Sequence, residues 1–215
     1  MIDSAGYDPD GYQAMLSGAG HYDAGMRLVE EDEHDARVAE FQEAERCYLA
    51  AAEKGNVHAW LCLGYVYSYD RCEGEYAPLP EGGGRPYPRE QRAFECFSRA
   101  AQAGLAEGCY KLGDLYKAGV GCAPDEGQAF VKYAEACRLA RTDPPVIWGS
   151  AALRLATCFE NGCGCPQDFS DALRWYRRAQ TGLEIAVNDG DWYYERVLAR
   201  AKKGVQRMRQ ELHPE

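Results

Sequence analysis

The chain has 215 residues, 46% of them hydrophobic, and a formal net charge of −10. That apolar content supports a substantial core, while the acidic balance disfavours nucleic-acid phosphates and anionic lipid and leans toward basic partners. No stretch approaches the ~18 uninterrupted apolar residues of a membrane span. The opening MIDSAGYDPDG has neither a basic start nor an apolar run, so no secretory leader is expected and the cytoplasm is the expected setting. Six of the ten cysteines, Cys47, Cys62, Cys96, Cys109, Cys137 and Cys158, sit in helical patterns beside Ala, Leu and aromatics. Free cysteine acts there as a small hydrophobe; the rival reading, disulfides between helices, belongs to an oxidising compartment.

Along the chain two helical patterns alternate. The first helix of each unit carries a large apolar residue, a small one directly after it, and an aromatic three further on: Leu63, Gly64 and Tyr67, then Leu112, Gly113 and Tyr116, then Leu155, Ala156 and Phe159. The second helix carries Ala, an aromatic four later, and Ala three after that. These are Ala44, Tyr48 and Ala51; Ala93, Phe97 and Ala100; Ala129, Tyr133 and Ala136; Ala172, Tyr176 and Ala179. Spacings of three and four place each set on one helical face. At the N-terminal end the pattern is degenerate. Ala19, Tyr22 and Gly25 fit, Gly18 stands where Leu is expected, and EEDEHDARVAE replaces a clean turn.

Turns punctuate the later copies. Gly119 and Gly121, like Gly162 and Gly164, stand where a helix ends and the chain reverses, a place that often needs positive φ. Asp125 and Asp168 follow as N-caps, accepting orphan N–H bonds at the positive helix end. Gly119 to Gly162 and Tyr133 to Tyr176 are both 43 residues apart. Treating RTDPPVI (Arg141–Ile147) as an insertion between units leaves a repeat of 36 residues, and RCEGEYAPLPEGGGRPYP (Arg71–Pro88) is a second insertion, rich in Gly and Pro. The expected organisation is one helical-repeat domain over 1–215, with units 12–55, 56–104 (inserted loop 71–88), 105–140 and 147–182. A segment over 183–212 closes the array. In that segment Tyr194, Val197, Leu198, Ala201, Val205 and Met208 form an apolar stripe among Arg196, Arg200, Lys202, Lys203, Arg207 and Arg209. This suits the polar-faced cap that a solenoid end requires; a basic amphipathic ligand or membrane helix is the runner-up.

LGDLYKAGVGCAPDEGQAFVKYAEA and LATCFENGCGCPQDFSDALRWYRRA, with AERCYLAAAEKGNVHAWLCLGYVY and AFECFSRAAQAGLAEGCYKLGDLY as joins, resemble the Sel-one-like repeat, a relative of the tetratricopeptide repeat. The resemblance covers about residues 12–182. It implies an all-α fold, a right-handed superhelical solenoid of antiparallel hairpins, serving as adaptor or scaffold for proteins and peptides. Some members of the family carry one disulfide per hairpin; Cys109 with Cys137 and Cys62 with Cys96 fit loosely, whereas Cys158 and Cys47 have no matching partner.

Motifs for chemistry are scarce. His21, His34, His58 and His213 show no paired metal spacing. The CGC at Cys163–Cys165, with Cys122 in the preceding copy, falls short of paired zinc knuckles. No Cys-x-x-Cys, phosphate loop or carboxylate pair stands out, so no cofactor, no metal and no enzymatic mechanism are expected. The expected function is a non-catalytic protein- or peptide-binding scaffold, monomeric or weakly self-associating, without nucleic acid or membrane. The alternative is an enzyme regulator or self-assembling structural protein with a site at the 71–88 loop, where Cys72 is the one nucleophile candidate.

By the related pattern, first helices line an extended concave groove, and positions two before and two after the core Leu face it. This nominates Leu61 and Tyr65, Tyr110 and Asp114, and Leu153 and Thr157, with Tyr69, Lys117 and Glu160 at the next turn. Their aromatic members are typical hot-spot material. The competing reading is that some of them pack against the next first helix, and solvent exposure separates the two. Two expectations follow: Gly113→Ala is near neutral, since Ala156 occupies the equivalent place, and Asp114→Leu leaves stability untouched.

Overall fold

A computed structural model describes residues 10–79 and 88–213. Among these residues the chain is all-α: α1 (Tyr12–Arg27), α2 (His34–Glu53), α3 (Val57–Ser68), α4 (Arg89–Gln102), α5 (Ala106–Ala118), α6 (Glu126–Leu139), α7 (Pro145–Asn161), α8 (Phe169–Asn188) and α9 (Glu195–Leu212). Two compact units divide it, Met1–Ala103 and Gly104–Glu215. The first holds hairpins α1/α2 and α3/α4, with α2 against α3; the second holds α5/α6 and α7/α8, with α6 against α7 and α9 docked on α8.

The duplicated turns are built alike. Gly119 and Gly162 end α5 and α7 in the left-handed region, both at φ +68°. Asp125 N–H then donates to Tyr116 O and Asp168 N–H to Phe159 O, each at 2.9 Å. The Asp125 carboxylate accepts from Gln128 N–H at 2.8 Å and that of Asp168 from Asp171 N–H at 2.9 Å. Each aspartate thus satisfies an orphan donor of the helix it starts.

Each hairpin crosses where a small residue meets the second helix's aromatic ring. A Cβ added at Gly18 would stand 2.7 Å from the Tyr48 ring, at Gly64 2.6 Å from Phe97, and at Gly113 2.6 Å from Tyr133. All three rings are buried. In the first hairpin the crossing residue is therefore Gly18, one position before the Ala19 that the spacing suggested. The expected neutrality of Gly113→Ala is also corrected, because a methyl there meets ring carbons of a packed tyrosine. Ala156 carries its methyl in the α7/α8 crossing, and the ring of Tyr176 is met by Gly204 of α9, where a Cβ would come within 2.4 Å.

RTDPPVI is not all connection. Pro144 is the N-cap and Pro145 the first residue of α7, where a missing N–H costs nothing and the fixed φ suits a helix. α8 is lengthened in step, to Asn188. The extensions pack closely: a Cβ at Gly182 would lie 2.6 Å from Trp148 and 2.7 Å from Pro145 O. Consequently 183–188 belongs to α8, and the terminal helix begins at Glu195 after a 3-10 turn at Trp192–Tyr194.

None of the ten cysteines is joined in a disulfide. Burial pushes Cys109 up to about 11 and Cys72, Cys137 and Cys158 up to about 12. A protonated, buried thiol is a poor nucleophile, and for Cys72 this removes the one candidate the inserted loop offered. Residues 80–87 of that loop lie outside the described residues. Its described part is anchored from α2 and α4. Glu45, 2% exposed, accepts from Tyr67 OH at 2.9 Å and Ala77 N–H at 3.1 Å, and Arg92 donates to Ala77 O at 2.6 Å.

Candidate functional site

The nine nominated residues fall three on the first unit and six on the second. On the first, Leu61 and Tyr65 are half-buried and Tyr69 is 56% exposed. Tyr65 and Tyr69, one turn apart on α3 and past its end, stack at 6.1 Å, and Tyr65 meets Phe97 edge-on at 5.6 Å. Arg71, from the inserted loop, lies over the rings of Phe41 (5.1 Å), Tyr69 (5.2 Å) and Tyr22 (5.8 Å). Tyr69 and Arg71 border a recess of about 310 Å³.

On the second unit α5 supplies Tyr110, Asp114 and Lys117, and α7 supplies Leu153, Thr157 and Glu160. Lys117 is exposed, Asp114, Thr157 and Glu160 are half-buried, and Tyr110 and Leu153 are buried. Tyr110 is only 3% exposed because Arg154 of α7 covers it, guanidinium 4.5 Å above the ring. That guanidinium forks onto Asp114, Nε to Oδ1 at 2.7 Å and NH2 to Oδ2 at 2.6 Å, while NH1 donates to Ser150 O at 3.1 Å. Asp114 also accepts from Tyr133 OH at 2.9 Å. It is a structural hub between α5, α6 and α7, so the expectation that Asp114→Leu leaves stability untouched is corrected. Arg154 went unnoticed in the sequence, since a partner 40 residues away leaves no local spacing.

Thr157 and Glu160 converge with Leu153 on a cavity of about 370 Å³ between α7, α8 and α9, closed by Tyr176, Arg200, Lys203 and Arg207. Arg207 forks onto Glu160 at 2.8 and 2.9 Å, and Tyr176 OH donates to the same carboxylate. Burial alone would raise the Glu160 pKa, but the hydrogen bonds from Arg207 and Tyr176 and the Arg207 charge outweigh it and hold the carboxyl below its ordinary range. Thr157 Oγ1 donates to Leu153 O at 2.9 Å. Arg200 and Lys203 differ from Arg207: among the described residues neither has an acidic partner, whereas neighbouring Lys202 pairs with Glu184 at 3.0 Å. The cavity lining sets three cations against one carboxylate, in a protein of charge −10. The sequence presents these cations as the polar face of a cap or, as runner-up, of a basic amphipathic helix; their convergence on α7 depends on how α9 docks.

Stacked antiparallel hairpins with glycine–aromatic crossings define a helical-repeat protein. A family model, the Sel1 repeat, matches residues 38–56, 81–105, 106–139 and 149–179, together about half of the chain. The chain belongs to the Sel1 repeat family. The matches over 106–139 and 149–179 coincide with hairpins α5/α6 and α7/α8. Among solved structures, a Sel1 repeat protein from Oxalobacter formigenes aligns with 92% of this chain and 70% of its own, at TM-score 0.57 and 19% identity, which shows the shared fold. The protective antigen c5321 of uropathogenic Escherichia coli, which displays an SLR fold, aligns at TM-score 0.42 and 20% identity over 89% of this chain and 45% of its own. Among curated proteins, chitin synthase regulatory factor 1 of Schizosaccharomyces pombe is 41% identical over 78 residues, 36% of this chain but only 15% of that protein. Among the described residues no helix is long and apolar enough to cross a membrane.

Proposed function

We propose that the protein is a non-catalytic scaffold that receives an acidic protein segment in the cavity between α7, α8 and α9. The observation that carries this reading is the pair Arg200 and Lys203, which line the cavity and have no acidic partner among the described residues. An acidic side chain set there gains charge-assisted hydrogen bonds. The fixed salt bridge of Arg207 with Glu160 marks one wall and adds like-charge discrimination against badly placed carboxylates. Tyr65 and Tyr69 on the first unit offer an independent aromatic contact surface. The name of the yeast relative, a regulatory factor, supports a role in controlling another protein rather than in catalysis. Cysteines without disulfides suit the cytoplasm.

Fluorescence anisotropy with short peptides tests this, comparing Asp- or Glu-containing sequences next to an aromatic with their Asn and Gln counterparts. Acidic peptides should bind more tightly, and affinity should fall with salt. Arg200→Glu combined with Lys203→Glu should reduce affinity at least about tenfold, the effect of ~1.4 kcal/mol. Equal binding of acidic and amide peptides, or of wild type and the double variant, removes the cavity from consideration. Light scattering over a concentration series reports the oligomeric state, proposed as monomeric.

A further inference from the structure

The first hairpin holds a separate grouping. Glu40, Glu43 and Cys47 succeed one another at spacings of three and four along α2, so they share one face. α1 brings His21 onto that face. A His21 ring nitrogen, a Glu43 carboxylate oxygen and Cys47 Sγ all lie within 4.8 Å of one another, each residue half-buried. Imidazole, thiol and carboxylate together make the donor set of a borderline divalent ion.

Two details go beyond proximity. His21 Nδ1–H donates to Glu40 Oε2 at 2.7 Å, which fixes the tautomer and leaves Nε2 with its lone pair, the outer carboxylate arrangement that orients metal-binding histidines. Arg46 Nε donates to Glu43 Oε2 at 2.9 Å, and its NH2 turns to that same oxygen. Glu43 Oε1 therefore has no described donor. Tetrahedral zinc distances imply ligand atoms roughly 3.3–3.8 Å apart, so closure needs about 1 Å of movement from side chains that retain solvent access.

We infer that His21 Nε2, Glu43 Oε1 and Cys47 Sγ form a three-ligand site for a divalent transition metal ion of the zinc class, with water as fourth ligand. Glu40 acts as the orienting carboxylate of His21. On binding, the Cys47 thiol gives its proton to solvent, and thiolate plus carboxylate neutralise the ion. Histidine spacing gives no sign of the site because its one imidazole comes from α1 and its other two donors from the facing helix α2.

The test uses reduced, chelator-stripped full-length protein titrated with Co²⁺, then Zn²⁺. One equivalent of Co²⁺ should bind with a thiolate-to-cobalt charge-transfer band that Zn²⁺ displaces. Cys47→Ser should abolish the band, His21→Ala and Glu43→Gln should each weaken binding at least tenfold, and Glu40→Gln about tenfold. Cys163→Ser with Cys165→Ser should leave the band intact. Glu43→Gln is partly solvent-exposed, so it gives a reading even if Cys47→Ser disturbs folding, which circular dichroism reports. Failure of the wild type to bind overturns the site. So does a band that survives Cys47→Ser or disappears with the Cys163 and Cys165 substitutions.

Discussion

Two arginine clusters sit on one face of the second unit and are treated oppositely. Between α5 and α7, Arg154 spends its fork on Asp114, a third donor on Ser150 O, and its flat face on Tyr110. Between α7 and α9, Arg207 is likewise spent on Glu160, but Arg200 and Lys203 beside it are not. A cation held from every side positions helices. One facing a cavity without a partner has binding capacity left over, because its charge is not yet answered.

The largest expected effect breaks the first cluster. Asp114→Leu leaves Arg154 without its counter-ion and Tyr133 OH without an acceptor. Loss of one partner of a fully buried pair costs about 3–5 kcal/mol; this pair keeps some solvent contact, with side chains 25% and 35% exposed, so about 2–4 kcal/mol is expected in urea unfolding. A wild-type midpoint would make the clamp ornamental. Next comes the crossing beneath it. Gly113→Ala drives a methyl into the Tyr133 ring and should cost about 1–2 kcal/mol, within the overpacking range, with Gly113→Leu worse; an unchanged alanine variant would mean the ring moves freely.

A smaller effect separates two carboxylates that each accept a tyrosine hydroxyl. Glu160 has a lowered pKa, so its contribution is present above its ordinary value and lost as pH falls through the depressed one. Glu45 in the first unit has a raised pKa because burial outweighs the bonds from Ala77 and Tyr67 and the charges of Arg92 and Arg46. Its contribution runs the other way, full at low pH and lost as pH rises past its ordinary value. Glu160→Gln should flatten the acid limb of stability by at most about 1 kcal/mol, since Arg207 is half exposed. Glu45→Gln should steepen that limb. Paired unfolding curves at several pH values check both signs. Smallest of all, Arg200→Ala with Lys203→Ala should change stability within about 0.5 kcal/mol while lowering affinity for acidic peptides, the mirror image of Asp114→Leu.

Local grammar was legible. The glycine turns, the Asp125 and Asp168 caps and the Ala–aromatic stripes all follow from residues within a few positions of one another. Gly64 and Gly113 announced close crossings by costing helix propensity where they stand. What escaped was pairing across helices. Arg154 with Asp114, Arg207 with Glu160, and His21 with Cys47 join positions whose separation reflects docking and leaves no period in the sequence. Even the crossing at Gly18 was misplaced by one residue, because two small residues adjoin there and only Tyr48 decides between them.

Gly204 presses α9 onto Tyr176, and Leu198, Ala201, Val205 and Met208 are buried along the same helix. In terms of growth, α8 would otherwise be an unfinished step, an apolar edge shaped to accept one more hairpin. α9 occupies that step, turning Arg200, Lys203 and Arg207 to the cavity and leaving Arg209 exposed. The same helix that completes the cavity therefore also covers the exposed edge of α8.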